Sequence, residues 1–322
     1  MRENKGLRKF FVILGVLIFL GVWVLKTEAQ VTYPTKPITI IVPFTAGGST
    51  DIAVRRIAPY LGKYLKSSII IENLTGADGA IGYNKAFSAK VDGYTLLASN
   101  TLPLLLTEFS RETRYKTMDF KSIFAFVRDS MILVVYPEFC KTFEEFVKMA
   151  RTQTVRVGTT GGATTTGLMG ILLAEELGLK VNWIPFSGGA ESLTTLAGKH
   201  IDAVFSIAAS ALPLSKAGKI RPLAIFSDRR NPQFPEVPVT KEMGVDIPLL
   251  YNHTGIVGPP GLSEDKIKIL EQGFTKAVQD PEYLEKMKML GTSEIVPLPP
   301  MEYRKEFERL FTVAEKYKKY LK

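Results

Sequence analysis

Short apolar runs alternate with segments of helical period along most of the chain. The clearest strand signal is residues 38–42. Residues 50–64 then carry apolar side chains on one helical face, and Pro59 predicts a kink there. Further strands are predicted at residues 69–71, 94–98, 132–136, 155–158, 181–184, 203–206 and 223–226. Strands and helices that alternate in this way predict an α/β protein with mainly parallel strands.

The C-terminal part is predicted to be helical. Proline-rich breaks at residues 231–238 and 258–261 separate it from the middle of the chain. Three helices are predicted at residues 263–279, 281–290 and 299–320.

Residues 1–29 have the pattern of an export signal. A basic stretch ends at Lys9, a mostly apolar run follows, and the small side chains of Thr27 and Ala29 predict cleavage before Gln30. The alternative is an uncleaved anchor, although the apolar run falls short of the roughly 20 residues that span a bilayer. Either way, we expect the folded part to lie in the periplasm.

The composition is that of a globular protein. Of the 322 residues, 46% are hydrophobic and 23% are charged. One cysteine, Cys140, excludes an intrachain disulfide, and two histidines leave almost no ligands for a structural zinc site. No metal or other cofactor is expected.

Much of the net charge of +9 lies at the two ends of the chain. Residues 1–29 and residues 315–322 each contribute +3, which leaves only +3 for the body between them. Because the body has so small an excess, a nucleic-acid partner is not expected.

Two segments share the pattern Thr-x-Gly-Gly-x-Thr, residues 45–50 and 159–164. Each follows a predicted strand and opens a helix, which directs backbone N–H groups and the positive helix end towards a carboxylate or phosphate. A third loop, residues 185–189, repeats the order of strand, aromatic residue and glycine turn. The alternative is that the glycines only serve tight turns, with Ser and Thr as helix caps. Three loops of one design favour a common ligand.

Two polar residues near these loops have open roles. Asn100 follows the strand at residues 94–98 and offers either a ligand amide or a turn. Asp51 lies in a first helical turn, where an acidic residue interacts favourably with the helix dipole and accepts N–H groups. As a ligand residue it would instead select acids that carry a hydroxyl or ammonium donor.

Motifs for catalysis and nucleotide binding are absent from the sequence. No P-loop or Rossmann glycine fingerprint occurs, and residues 47–51 depart from the nucleophile elbow at their last position. Cys140, His200 and His253 stand isolated, and each is interpreted as structural. An enzyme is therefore not expected.

Residues 33–51 also carry a family resemblance. The same likeness continues through Glu72-Asn73, Gly76-Ala77, Gly79-Ala80-Ile81-Gly82, Asp92-Gly93-Tyr94-Thr95-Leu96-Leu97, Pro185-Phe186, Gly188-Gly189, Ala217-Gly218-Lys219-Ile220-Arg221-Pro222-Leu223-Ala224, Phe234-Pro235-Glu236-Val237-Pro238 and Gly258-Pro259-Pro260-Gly261. Across essentially all of the mature chain, the sequence resembles the extracytoplasmic substrate-binding proteins of tripartite tricarboxylate transporters, also called the Bug family.

The resemblance implies an α/β, two-lobe, periplasmic-binding-protein-like fold with a ligand cleft between the lobes. Lobe 1 is expected to be discontinuous, residues 33–131 plus 251–322, and lobe 2 to span residues 132–250. In this family one ligand carboxylate is held by backbone amides and ordered waters at loops that match residues 44–51 and 158–165. With the loop pattern, this predicts as ligand-binding residues Phe44, Ala46, Gly47, Gly48, Ser49, Thr50, Asp51, Asn100, Thr159, Thr160, Gly161, Ala163, Thr164, Thr165, Phe186, Gly188 and Gly189.

Two segments depart from the family pattern. The usual Arg-Pro-Gly-Ala-Gly-Gly is Leu-Thr-Gly-Ala-Asp-Gly at residues 74–79, and the usual histidine after the second glycine loop is absent from residues 164–167. These changes bear on the ligand more than on the fold.

The sequence thus predicts a non-catalytic receptor for a small organic acid, a di- or tricarboxylate or a related carboxylate. It is expected to be a monomer that delivers its ligand to the membrane permease of a tripartite tricarboxylate transporter. A ligand-sensing protein that presents the acid to a signalling partner uses the same site and stays the alternative. An enzyme of the same architecture comes third.

Overall fold

The computed structural model describes residues 33–160, 164–186, 188–290 and 293–318. The chain divides into a short unit, residues 1–35, and a main unit, residues 36–322, which contains every strand and helix that the structure describes. The predicted export signal lies outside the described residues. Among the helices that are described, none is both long and apolar enough to cross a bilayer.

The described part of the main unit contains eleven strands and ten α-helices. The strands are β1 (Ile38–Val42), β2 (Ile69–Asn73), β3 (Thr95–Asn100), β4 (Lys121–Asp129), β5 (Met131–Val135), β6 (Val155–Thr159), β7 (Val181–Pro185), β8 (Ala203–Ile207), β9 (Arg221–Phe226), β10 (Asn252–Gly258) and β11 (Glu294–Leu298). The helices are α1 (Ser49–Leu65), α2 (Ala80–Phe87), α3 (Thr101–Ser110), α4 (Phe143–Thr152), α5 (Thr165–Leu177), α6 (Gly189–Ala197), α7 (Ala208–Lys216), α8 (Glu264–Val278), α9 (Pro281–Leu290) and α10 (Pro300–Tyr317).

The strands form two mixed sheets. Sheet A has the order β11-β4-β10-β3-β1-β2, and sheet B has the order β7-β6-β8-β5-β9. In sheet A, β1 is parallel to β2 and β3, whereas β10 is antiparallel to β3 and β4. In sheet B, β6 is parallel to β7 and β8, whereas β5 is antiparallel to β8 and β9. The prediction of mainly parallel strands was wrong, because each sheet is parallel only on one side.

The chain passes between the sheets twice. Only Ser130 separates β4 of sheet A from β5 of sheet B, and residues 227–251 lead back from β9 to β10. We name these segments the first and second crossings. The strand directions put the C-terminal ends of β1 and β3 at the edge of sheet A where β4 ends. They also put the C-terminal ends of β6, β7 and β8 at the edge of sheet B where β5 begins.

Strand β5 lies in the middle of the core. Its residues alternate between two buried clusters, with Met131, Leu133 and Val135 in one and Ile132 and Val134 in the other. Successive side chains of a strand point to opposite faces, so this strand is buried on both. The first cluster continues into sheet A.

Three strands were missed by the sequence analysis, β4, β10 and β11. β10 is rich in polar residues and glycine, yet it lies in the centre of sheet A. Its Gly255 is needed because a Cβ atom there would come within 2.6 Å of the Tyr303 ring. β11 carries Pro297, which a strand tolerates at the edge of a sheet. Helix α1 continues through Pro59 to Leu65.

Candidate functional site

A tight turn leads from β1 into α1. The N–H group of Gly48 donates to the carbonyl oxygen of Thr45 at 3.1 Å, and Gly47 has a φ of +79°. A side chain would strain the backbone in this left-handed region, so glycine at position 47 is the residue that lets the chain turn here. The turn brings the first residues of α1 directly above the end of β1.

The buried carboxylate of Asp51 fastens this turn to α1. It accepts the N–H group of Gly47 at 2.8 Å and the Nε of Arg55 at 2.9 and 3.0 Å. Burial works against the charged form, but the hydrogen bonds from Arg55, Gly47 and Asn73 outweigh it and hold the pKa of Asp51 below its usual value. Both oxygens of Asp51 therefore already have partners in the protein.

Asn73, at the end of the neighbouring strand β2, completes the same cluster. Its Nδ2 donates to Asp51 Oδ1 at 2.9 Å and to the carbonyl oxygen of Phe44 at 3.0 Å. Its Oδ1 accepts from Arg55 at 3.0 Å. Neither Arg55 nor Asn73 was among the predicted site residues. Arg55 could have been found from the sequence, because residues four apart on a helix are neighbours and Arg55 follows Asp51 at this spacing.

The first turn of α1 leaves backbone donors open. The residue at its N-cap position, Gly48, has no side chain that could accept these N–H groups. The first N–H groups of a helix have no partner within the helix, so those of Ser49 and Thr50 are open to an acceptor at the end of β1. Ser49 is half-buried, and Ala46 and Gly47 are exposed. An anion can therefore reach this helix end.

Asn100 lies deeper than these donors and is 2% exposed. Its Oδ1 accepts the hydroxyl of Thr50, and its Nδ2 donates to Thr254 Oγ1 at 3.1 Å. The structure thus brings the predicted residues Thr50 and Asn100 together. The Asn100 amide joins α1, β3 and β10, and both of its polar groups are used in doing so.

The second glycine loop joins β6 to α5. The hydroxyls of Thr160, Thr164 and Thr166 form a triangle with sides of 2.9, 3.1 and 3.2 Å. Thr164 also caps the helix by accepting the N–H group of Gly167 at 3.1 Å. The predicted site residues Gly161 and Ala163 lie outside the described residues.

Thr165, the first residue of α5, is 3% exposed, and its hydroxyl has no hydrogen-bond partner within the described part of the chain. Buried hydroxyl groups normally have one, so this group is available to a ligand or a water molecule. It lies at the end of sheet B from which the second loop leaves. Thr159 is buried just before that loop.

The third loop packs beside the second. The N–H group of Phe186 donates to the carbonyl oxygen of Thr159 at 2.8 Å. A Cβ atom at Gly158 would come within 3.0 Å of the Phe186 ring, so this glycine gives the ring its space. Half-buried Gly188 and Gly189 follow and open α6. The structure therefore brings the two sheet-B loops together.

Cys140 and His253 lie outside these loops and are buried. Burial raises the pKa of Cys140 to about 11 and lowers that of His253 to about 4. Each is therefore neutral at pH 7, with His253 Nδ1 3.3 Å from Glu306. His200 is exposed.

A match to a family model shows which protein family this chain belongs to. Residues 53–298, most of the chain, match the model described as "Tripartite tricarboxylate transporter family receptor". The chain belongs to this receptor family. It is 32% identical over 273 residues to the "UPF0065 protein in gbd 5'region" of Cupriavidus necator, with 83% of each protein covered.

Two solved structures of similar proteins extend the match to the fold. One is a TctC solute binding protein from Polaromonas, with a TM-score of 0.72 and 28% identity, covering 90% of this chain and 99% of the other. The second is the periplasmic binding protein BugD, with a TM-score of 0.80 and 25% identity, covering 89% and 98%. The predicted two-lobe α/β fold and the predicted resemblance to the Bug family are confirmed.

Proposed function

We propose that this receptor captures a small organic acid, a di- or tricarboxylate or a related carboxylate, in the periplasm. The observation that carries the proposal is a pair of similar helix ends. α1 and α5 each begin after a glycine loop, at the edges of sheets A and B that the first crossing joins. A helix N-terminus binds anions through its open N–H groups and its dipole.

The charges around the α1 loop agree with a carboxylate ligand. The negative charge of Asp51 is paired with Arg55, so it does not stand free against an anion. The described residues of the loops also supply N–H groups and hydroxyls such as that of Thr165. Such donors bind carboxylate oxygens without an additional basic residue.

The lobes follow the two sheets in this proposal. Residues 33–131 plus 251–322 form lobe 1 and contain every strand of sheet A, and residues 132–250 form lobe 2 around sheet B. The seventeen predicted ligand-binding residues remain the proposed site. Within it, Asp51 and Asn100 hold the neighbouring backbone and side chains in place through their hydrogen bonds. A monomer hands the acid to the permease of a tripartite tricarboxylate transporter and catalyses no reaction.

A di- or tricarboxylate is expected to raise the melting temperature of the protein. A ligand that binds only the native state adds about 2.7 kcal/mol to the free energy of unfolding at one hundred times its Kd. The measurement is a thermal unfolding scan with malate, succinate, citrate, adipate and acetate, on protein refolded to remove any co-purified ligand. A panel that leaves the melting temperature unchanged would contradict the proposal.

A matched pair of variants connects this effect to the site. Thr165→Val removes the free hydroxyl at the start of α5 and keeps the side-chain shape. It is expected to lower the affinity for the most tightly bound acid about tenfold, which corresponds to the loss of one hydrogen bond to a charged group. Thr194→Val, on the exposed side of α6, is the control and should bind as the wild type does.

Ligand binding is expected to bring the two lobes together. One acid that contacts loops of both sheets requires a hinge motion at the crossings, which reduces the radius of gyration. Small-angle X-ray scattering with and without a saturating acid measures it. If the two curves coincide while calorimetry shows full occupancy, the ligand binds without lobe closure.

A further inference from the structure

Four buried polar side chains form a row on one face of sheet A. Asn100 of β3 lies opposite Thr254 of β10, and Asn252 of β10 lies opposite Asp129 of β4. Opposed residues of antiparallel strands share a face, as do residues two apart on one strand. The hydrogen bond from Thr50 to Asn100 shows that this face is the one that α1 covers.

The two ends of the row differ in their hydrogen bonding. Asn100 uses both of its polar groups. At the other end, Asp129 Oδ1 and Asn252 Nδ2 have no partner among the residues that the structure describes, although each residue is only 3% exposed. Ser293 hydrogen-bonds to the Asp129 carboxyl, so a single oxygen is left over. Buried polar atoms without a partner are rare and point to an additional bound group.

A third unpaired atom lies on the same side of the sheet. The hydroxyl of Tyr283 in α9 has no partner in the described ranges, and the residue is fully buried. Burial raises the pKa of both Asp129 and Tyr283, and the positive charge of Arg56 on α1 offsets part of the rise in each. The Tyr283 ring packs against Tyr60, one helical turn after Arg56, with 5.5 Å between ring centroids.

These three atoms differ in what they donate and accept. Asp129 Oδ1 accepts, Asn252 Nδ2 donates, and the Tyr283 hydroxyl does either. A metal cation does not suit a site with an amide donor beside Arg56, and an anion does not suit one with a carboxylate. A water molecule suits all three, because it donates two hydrogen bonds and accepts others. Buried waters typically make about three bonds to otherwise unpaired groups.

We propose that one water molecule is bound between Asp129 Oδ1 and Asn252 Nδ2, whose residues lie opposite each other on β4 and β10. Its place gives it a structural role. Asp129 ends β4 immediately before the first crossing, and Asn252 begins β10 immediately after the second. The water therefore connects the two strands at the points where both crossings meet sheet A.

A high-resolution crystal structure of the protein tests the occupant directly. We expect a single water peak within hydrogen-bond distance of Asp129 Oδ1 and Asn252 Nδ2. A direct hydrogen bond between the two side chains without such a peak would overturn the proposal. A peak with the short oxygen distances and higher coordination of a metal ion would overturn it as well.

A double-mutant cycle tests whether the two side chains are coupled at all, and the crystal structure then distinguishes a shared water from a direct contact. Asp129→Leu, Asn252→Leu and the double variant are compared by urea unfolding. A shared water predicts coupling of about tenfold in the unfolding equilibrium constant, since either single variant already removes the bridge. Additive effects would overturn the proposal. Asp246→Leu combined with Asn252→Leu is the control, because Asp246 is exposed and outside the row.

Discussion

The Asp51→Asn variant is expected to lose about 3 kcal/mol in its free energy of unfolding. Asparagine keeps one acceptor oxygen and replaces the other by an NH₂ group, which then faces the donors of Gly47, Arg55 or Asn73. A buried donor that faces another donor loses its hydrogen bond and costs about 1–3 kcal/mol, and more for charged groups. The half-exposed Arg55 adds little, because solvent screens its charge. Urea unfolding measures the change.

The same variant separates the two interpretations of Asp51. Because both carboxylate oxygens already bind protein donors, we expect the affinities for malate and succinate to fall by the same factor, measured by calorimetry. A selective loss for malate would instead show that Asp51 recognises the ligand hydroxyl. Asp246→Asn is the control for loss of one carboxylate, and it should change neither stability nor binding by more than experimental error.

The Asp129→Asn variant is expected to remove a pH dependence of stability. Burial raises the pKa of Asp129 to about 6, from an ordinary value of 3.8. The native state then binds a proton that the unfolded chain has lost between these two pH values. Wild-type stability therefore falls as pH rises from about 4 to 6, by up to about 3 kcal/mol. A water that donates to Oδ1 reduces this figure, so it is an upper bound.

Urea unfolding between pH 4 and pH 8 provides the measurement. Relative to the wild type, the Asp129→Asn variant should gain unfolding free energy as pH rises from about 4 to 6. The difference should stay constant above about pH 7, where Asp129 is ionised in both states. Parallel pH profiles for the two proteins would show that Asp129 titrates normally in the fold.

Local pattern was enough to predict much of this fold. Strand β1 and helix α9 have the predicted bounds, and α1 extends the predicted helix by one residue at each end. Strand direction was not predictable in this way, because the pairing of β10 with β3 and β4 joins residues far apart in sequence. Gly255 is an example, because glycine is needed there to leave space for the ring of Tyr303, which lies on helix α10.

The sequence predicted the loops and helix ends of the candidate site, but it did not predict the hydrogen bonds that hold them in place. The repeated glycine loops indicated two helix ends, and the structure places them at the edges joined by the first crossing. Asn73 belongs to the motif Glu72-Asn73 that carries the family resemblance, but its contact with Asp51 depends on the pairing of β2 with β1. The cluster of Asp129 and Asn252 depends likewise on a register that no local pattern reveals.

The central place of β10 has a consequence for the order in which the chain folds. Sheet B consists only of residues 131–226, so all of its strands have been synthesised before residue 252 appears. Sheet A at that stage has a gap between β3 and β4, which only β10 fills. A growing chain can therefore complete sheet B before sheet A. Strands β1, β2 and β3 are synthesised first, but their sheet is completed only when the C-terminal part of the chain supplies β10 and β11.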